Sequence, residues 1–207
     1  LFVFTGINNT YAENIKEERK VATFTGVDFQ IAGEVFITQG APQMVTVEGS
    51  ADDIKDLKTE ISGSTLIIKF EGWKMNYGDI KIYITAEMFN ELEVSGSGSI
   101  TAQSKITTEN MELEVSGSGK IKIENLEVSQ IEAEISGSGK IHIGGSKEAN
   151  SMEFEISGSG DIYAEEIPVK RIEGDISGSG KASLNCTDKL EADISGSLFD
   201  TYRVLRT

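Results

Sequence analysis

The residues best equipped for chemistry are acidic, and they come in pairs: Glu91/Glu93, Glu112/Glu114, Glu132/Glu134, Glu153/Glu155, Glu173/Asp175 and Glu191/Asp193. Two facing carboxyl groups can divide general acid and general base duties across a glycosidic bond. That division needs two unlike environments, because the acid must keep its proton where the base has lost it. Six copies of one pair repeat a single environment, which points away from catalysis. Calcium favours several oxygen ligands. The acidic columns therefore leave room for weak, nonspecific divalent-cation binding, with no dedicated metal site and no cofactor expected. Their plainest role is a solvated, solubilising face.

Serine and glycine form the second candidate. The tetrad SGSG occupies 95–98, 116–119, 136–139, 157–160 and 177–180, with a clipped SGS at 195–197. Glycine exposes backbone N–H groups that cradle phosphate when a helix N-terminus follows. Here alternating strand residues follow instead: SITA, KIKI, KIHI, DIYA and KASL. Gly96, Gly98, Gly117, Gly119, Gly137, Gly139, Gly158, Gly160, Gly178 and Gly180 are accordingly expected to be structural corners. GSGDIY at 158–163 is similar to a calcium-binding nonapeptide repeat with Asp161 as ligand, but the matching positions hold Ser99, Lys120, Lys140 and Lys181.

His142, the one histidine, falls where other copies carry Thr101, Lys122, Tyr163 and Ser183, so it reads as a surface variant. No Ser–His–Asp arrangement or metal cluster can be completed around it. Cys186, the one cysteine, excludes an intramolecular disulfide and reads as small packing. No catalytic residue is assigned, and the chain is expected not to be an enzyme. The enzymatic alternative is a solenoid polysaccharide lyase or glycosidase. Against it, Arg19, Arg171, Arg203 and Arg206 make a poor basic clamp for uronates.

The elements that must hold these residues follow from the repeat. The serine opening each corner falls at 95, 116, 136, 157, 177 and 195, at intervals of 18 to 21 residues. The five residues before it read NELEV, MELEV, IEAEI, MEFEI, IEGDI and LEADI. Both flanks alternate at period two, as half-buried strands do. The inward rows are Leu92/Val94, Leu113/Val115, Ala133/Ile135, Phe154/Ile156, Gly174/Ile176 and Ala192/Ile194 before the corner. After it they are Ile100/Ala102, Ile121/Ile123, Ile141/Ile143, Ile162/Ala164 and Ala182/Leu184. A constant period near 20 with like residues at like positions predicts an all-β, single-stranded parallel β-helix, or β-solenoid. The rival is a series of antiparallel hairpins turning at each tetrad. A parallel stack lines up like charges, which is destabilising; Lys120, Lys122, Lys140 and Lys181, just past the corners, are expected to offset it.

Residues 1–90 read as an irregular β-rich opening or cap portion, and 91–207 as the regular SGSG-repeat solenoid with a C-terminal cap, together one continuous body. Ser50-Ala-Asp-Asp53 predicts a capped short helix to about Leu57, and ISGS at 61–64 an early, imperfect corner. Thr10-Tyr11-Ala12 is a tolerable signal cleavage site. The charged stretch that would make it convincing is not among these residues, and an ordered opening segment is expected. The loop EGWKMNYGD, with Trp73, Met75 and Tyr77, and the tail LFDTYRVLRT, with Phe199 and Tyr202, break the pattern. Each reads as a lid over a solenoid end or as a ligand or partner contact.

The chain carries 34 acidic against 19 basic residues, a net charge of −15. Phosphate neutralisation needs clustered Lys and Arg, so a nucleic-acid surface is excluded. No run approaches the ~20 apolar residues of a membrane-spanning helix.

RKVATFTGVDFQIAGEVFITQG, PQMVTVEGSADDIKDLKTEISGSTLIIKF, DIKIYIT, and the serial LEVSGSGSI and LEVSGSGKIKI corners occur in that order. On these segments, from Lys20 to Asp200, the chain resembles the Bacteroidetes family called putative auto-transporter adhesin, head GIN domain. The resemblance implies an exported β-helical protein of the periplasm, outer membrane or cell surface of a Gram-negative bacterium. It carries over no catalytic residue. It implies a non-enzymatic adhesin-like interaction module with a cell-surface glycan or protein as partner. Solenoid ends and flat faces can also pack copies into a homo-oligomer, a trimer among the arrangements.

Overall fold

Alternation at period two, restarted about every 20 residues, makes a chain that winds instead of doubling back. The computed structural model describes residues 14–72 and 77–196. The opening portion forms β1 (Ile15–Arg19), β2 (Gly26–Phe29), β3 (Glu34–Gln39), β4 (Met44–Gly49), α1 (Ala51–Asp56), β5 (Leu57–Ser62), β6 (Thr65–Phe70) and β7 (Lys81–Ala86). The repeats form β8 (Glu91–Val94), β9 (Ser99–Ala102), β10 (Ile106–Thr107), β11 (Asn110–Gly117), β12 (Lys120–Ile123), β13 (Leu126–Glu127), β14 (Gln130–Gly137), β15 (Lys140–Gly144), β16 (Ala149–Gly158), β17 (Asp161–Gly178) and β18 (Lys181–Gly196).

These strands wind into a parallel β-solenoid. On the first face β6, β2, β8, β11, β14, β16 and the later parts of β17 and β18 stack in parallel. On the second, β7, β3, β9, β12, β15 and the early parts of β17 and β18 do the same. A narrow third side carries the short pair β10 and β13. Ser136 pairs with Ser116 and Ser157 of the neighbouring coils, so the tetrads do not close antiparallel hairpins. The 18-to-21-residue spread is absorbed away from the first face, by register shifts between His142 and Gly144 and between Ala164 and Arg171.

The corner shows why glycine stands twice in each tetrad. Gly137 has φ +135°, and a Cβ there would press on the Gly117 carbonyl oxygen of the coil before. Gly139 is crowded instead by the inward Val115 side chain, so it is small because the coils approach closely.

One apolar core runs from Phe24 to Cys186. The column Ile100, Ile121, Ile141 and Ile162 is fully buried, each side chain contributing roughly 1.5–3 kcal/mol. In the column Ala133, Phe154 and Gly174 the phenyl ring fills the space its two neighbours leave. Cys186 packs at 3% exposure with its thiol 3.6 Å from the Lys170 carbonyl oxygen. The expected inward row Ala192/Ile194 is the exception: Ile194 is 37% exposed, because no further described strand stacks beyond β18.

In the opening portion β1, β4 and β5 depart from parallel stacking. β4 lies antiparallel between β1 and β7. β5 and β6 form an antiparallel hairpin, with Ser62 opposite Thr65 and Gly63 at φ +62°. ISGS at 61–64 is therefore a hairpin turn and not an early corner. Its second serine opens a return strand, whereas the true tetrads lead into a new direction of winding. The helix is capped as the sequence indicates: the Ser50 hydroxyl accepts from the Asp53 N–H and donates to the Asp53 carboxylate at 2.7 Å. That carboxylate also accepts from Gly78 N–H at 3.0 Å, anchoring the chain beyond 73–76.

Candidate functional site

Alternation sends every second residue of the first face outward, and parallel register stacks these into columns. Asn110, Gln130, Ser151, Arg171 and Lys189 form one. Glu91, Glu112, Glu132, Glu153, Glu173 and Glu191 form the next. Asp28, Glu93, Glu114, Glu134, Glu155, Asp175 and Asp193 form the third. Between the first two runs a trough of about 490 Å³, which Asn90 closes at one end.

The carboxylate columns are uncompensated. Only Glu191 has a cation in ion-pair reach among the described residues, Lys189 Nζ at 2.6 Å. Burial, then the carboxylates of Glu132 and Glu91, push Glu112 above its ordinary value. Burial, Glu93 and Glu134 do the same for Glu114. Burial also raises Glu93, partly countered by the Ser95 hydroxyl, which donates to it at 2.7 Å. The top of the third column is Asp28, buried, accepting from Gln30 Nε2 at 2.6 Å, with the same Ser95 Oγ 3.1 Å away, its single proton shared between Glu93 and Asp28.

The lysines beyond the corners do not relieve this charge. Lys122 pairs with Glu124 at 2.7 Å and Lys140 with Asp161 at 2.5 Å, both on the second face. The corner that turns the chain also turns their side chains away. The third side, by contrast, alternates in sign. Glu127 stands between Lys105 and Lys147, and their hydrogen bonds hold its carboxyl down to about 2.

The other singled-out residues are dispersed. Tyr77 packs its ring 4.5 Å from Phe70, and its hydroxyl accepts from Ala32 N–H at 2.8 Å. It is part-buried against the edge of the apolar core. Trp73, Met75, Phe199, Tyr202 and the Thr10-Tyr11-Ala12 stretch lie outside the described residues. The tetrad glycines sit at the junction of the first and second faces. His142 stacks between Lys122 and Tyr163, with Nε2 3.9 Å from Glu166. Among the described residues no group of three His, Cys, Asp or Glu side chains is arranged to hold a metal ion. No described helix is long and apolar enough to cross a membrane.

Sequence reasoning missed the trough. Its polar column recurs at the same 20-residue period as the glutamates, but varies in type, so only the register reveals it.

The family model described as putative auto-transporter adhesin, head GIN domain, matches residues 23–197. No curated protein matches the chain with significance. A putative adhesin from Bacteroides fragilis superposes with a TM-score of 0.81 at 21% identity, covering 90% of both chains. A putative lipid binding protein from Parabacteroides distasonis gives 0.70 at 20% identity, over 95% of this chain and 98% of its own. A putative adhesin from Parabacteroides merdae gives 0.69 at 18% identity, over 90% and 87%. At these identities the likeness is one of fold.

Proposed function

The chain belongs to the putative auto-transporter adhesin, head GIN domain family, and from that premise we propose that it is a non-enzymatic, adhesin-like interaction module. It works after export, in the periplasm, at the outer membrane or on the surface of a Gram-negative cell. Its partner is a surface glycan or protein. The observation that carries the reading is the first face: regular, traversed by a trough and, Lys189 beside Glu191 apart, without an ion pair for its carboxylates among the described residues. Like charges stacked in register weaken the fold that holds them, and the alternating third side illustrates a less costly arrangement. A face built this way favours contact over stability. Association of copies through ends or flat faces, as in a trimer, would present several troughs together and multiply weak binding.

Beads coated with the purified protein test the reading against mucin, extracted envelope polysaccharide and matrix proteins, with reducing ends assayed in parallel. Retention on at least one surface without release of reducing ends is expected. Turnover of any glycan by the pure protein, or retention on none of these surfaces, overturns it.

A further inference from the structure

We propose that the trough on the first face binds an uncharged, hydroxyl-rich glycan strand lying along the solenoid axis, about one sugar ring to each coil. This deepens the adhesin-like reading and rests on it. The hydrogen-bonding inventory selects the chemistry. One wall, Glu112, Glu132, Glu153 and Glu173, only accepts when ionised. The facing Asn110, Gln130 and Ser151 both donate and accept, and the column ends in Arg171 and Lys189, which only donate. Lys189 is engaged by Glu191. The Arg171 guanidinium has no hydrogen-bond or ion-pair partner among the described residues. A polycation would leave Arg171 and the amide N–H groups unmatched, and a polyanion would be repelled by the glutamates. A hydroxyl donates and accepts at once, so a polyol answers both walls and the donor end.

Spacing selects the orientation. Coils stack at about 4.8 Å, close to the length of one pyranose ring in an extended chain, so each ring lies over one coil's outward pair, a glutamate and its facing polar side chain. An extended polypeptide returns a side chain to the same side only every ~6.7 Å. It falls out of step within two coils.

Titration calorimetry with a soluble neutral β-glucan, xylan and mannan tests this. Polygalacturonate and polylysine serve as charged comparisons, at 0.15 and 0.5 M salt (roughly a twofold change in screening length). The variants are Gln130→Trp and Ser151→Trp in the trough and Lys122→Trp on the second face, with Gln130→Ala where added bulk prevents folding. At least one neutral polysaccharide is expected to bind, with little salt dependence. The trough variants should lose about tenfold in affinity, equivalent to ~1.4 kcal/mol, and Lys122→Trp none. Binding of polylysine alone, abolished by salt, overturns the proposal in favour of plain charge attraction. Neutral polysaccharides that do not bind, or that bind the trough variants equally, also overturn it. In those cases beads that still adhere leave the adhesin-like reading standing, and beads that adhere to nothing remove both.

Discussion

Phe154 and Gly174 occupy the same inward position on adjacent coils, and the phenyl ring lies where a Gly174 side chain would be. The pair is one packing unit. Gly174→Ala is expected to destabilise by about 1–3 kcal/mol through overpacking, and Phe154→Ala by about 3–5 kcal/mol through a cavity. Combining Gly174→Ala with Phe154→Ala should cost less than the sum of the two single changes. Urea unfolding of the four proteins measures this, and strict additivity would show that the residues do not share space.

The corners make a second prediction. Gly137 is held at positive φ beneath the Gly117 carbonyl, so Gly137→Ala should cost about 1–3 kcal/mol. Gly63, also at positive φ but with open space around it, should tolerate alanine better in the same unfolding assay. Equal losses would mean that backbone conformation, and not coil contact, sets the cost.

Stability should fall as pH rises from the ordinary carboxyl value of 4.5 through the raised values of Glu93, Glu112 and Glu114. Glu93, Glu112 and Glu114 have raised folded-state values, so the folded chain holds their protons more tightly than the unfolded chain. Their contribution improves as pH drops from neutral through those raised values and is complete near the ordinary 4.5. Below that, Glu127, lowered to about 2, loses its stabilising ionisation between 4.5 and about 2. A higher thermal midpoint at pH 5 than at pH 8 is the expected outcome; the reverse order refutes it.

Screening should act in the same direction. Raising sodium chloride shortens the reach of exposed charges and should raise the melting temperature. Glu114→Gln should also stabilise the fold, by about a few tenths of a kcal/mol, and should blunt the salt response. Calcium is expected to add a modest, nonspecific increment. A saturable calcium response of defined stoichiometry would contradict that and indicate a real site.

How much of this was legible in the sequence depended on periodicity. Glu112, Glu132 and Glu153 could be placed in one column because like residues recur at the coil period. No such signal announces that Met44–Gly49 inserts antiparallel between Ile15–Arg19 and Lys81–Ala86, since those partners share no repeat. ISGS at 61–64 misled because a tetrad fragment fits a two-residue hairpin turn as well as a corner. Lys122 and Lys140 misled for a geometric reason: nearness along the chain across a corner is not nearness in space. The trough needed the register itself, since Asn110, Gln130, Ser151 and Arg171 share a position but not a chemistry.

Register also gives the molecule a unit of length. Removing one residue from a strand turns the rest of that strand to the wrong face, until a register shift such as that between His142 and Gly144 absorbs the slip. Residues 110–129 make a complete turn, because Asn110 sits on Gln130 and Ile106 on Leu126. Excising all twenty would leave inward and outward positions unchanged and shorten the body by about 4.8 Å. For this fold, a whole coil is a smaller edit than a single amino acid, and the reach of the molecule can be set in whole-coil steps.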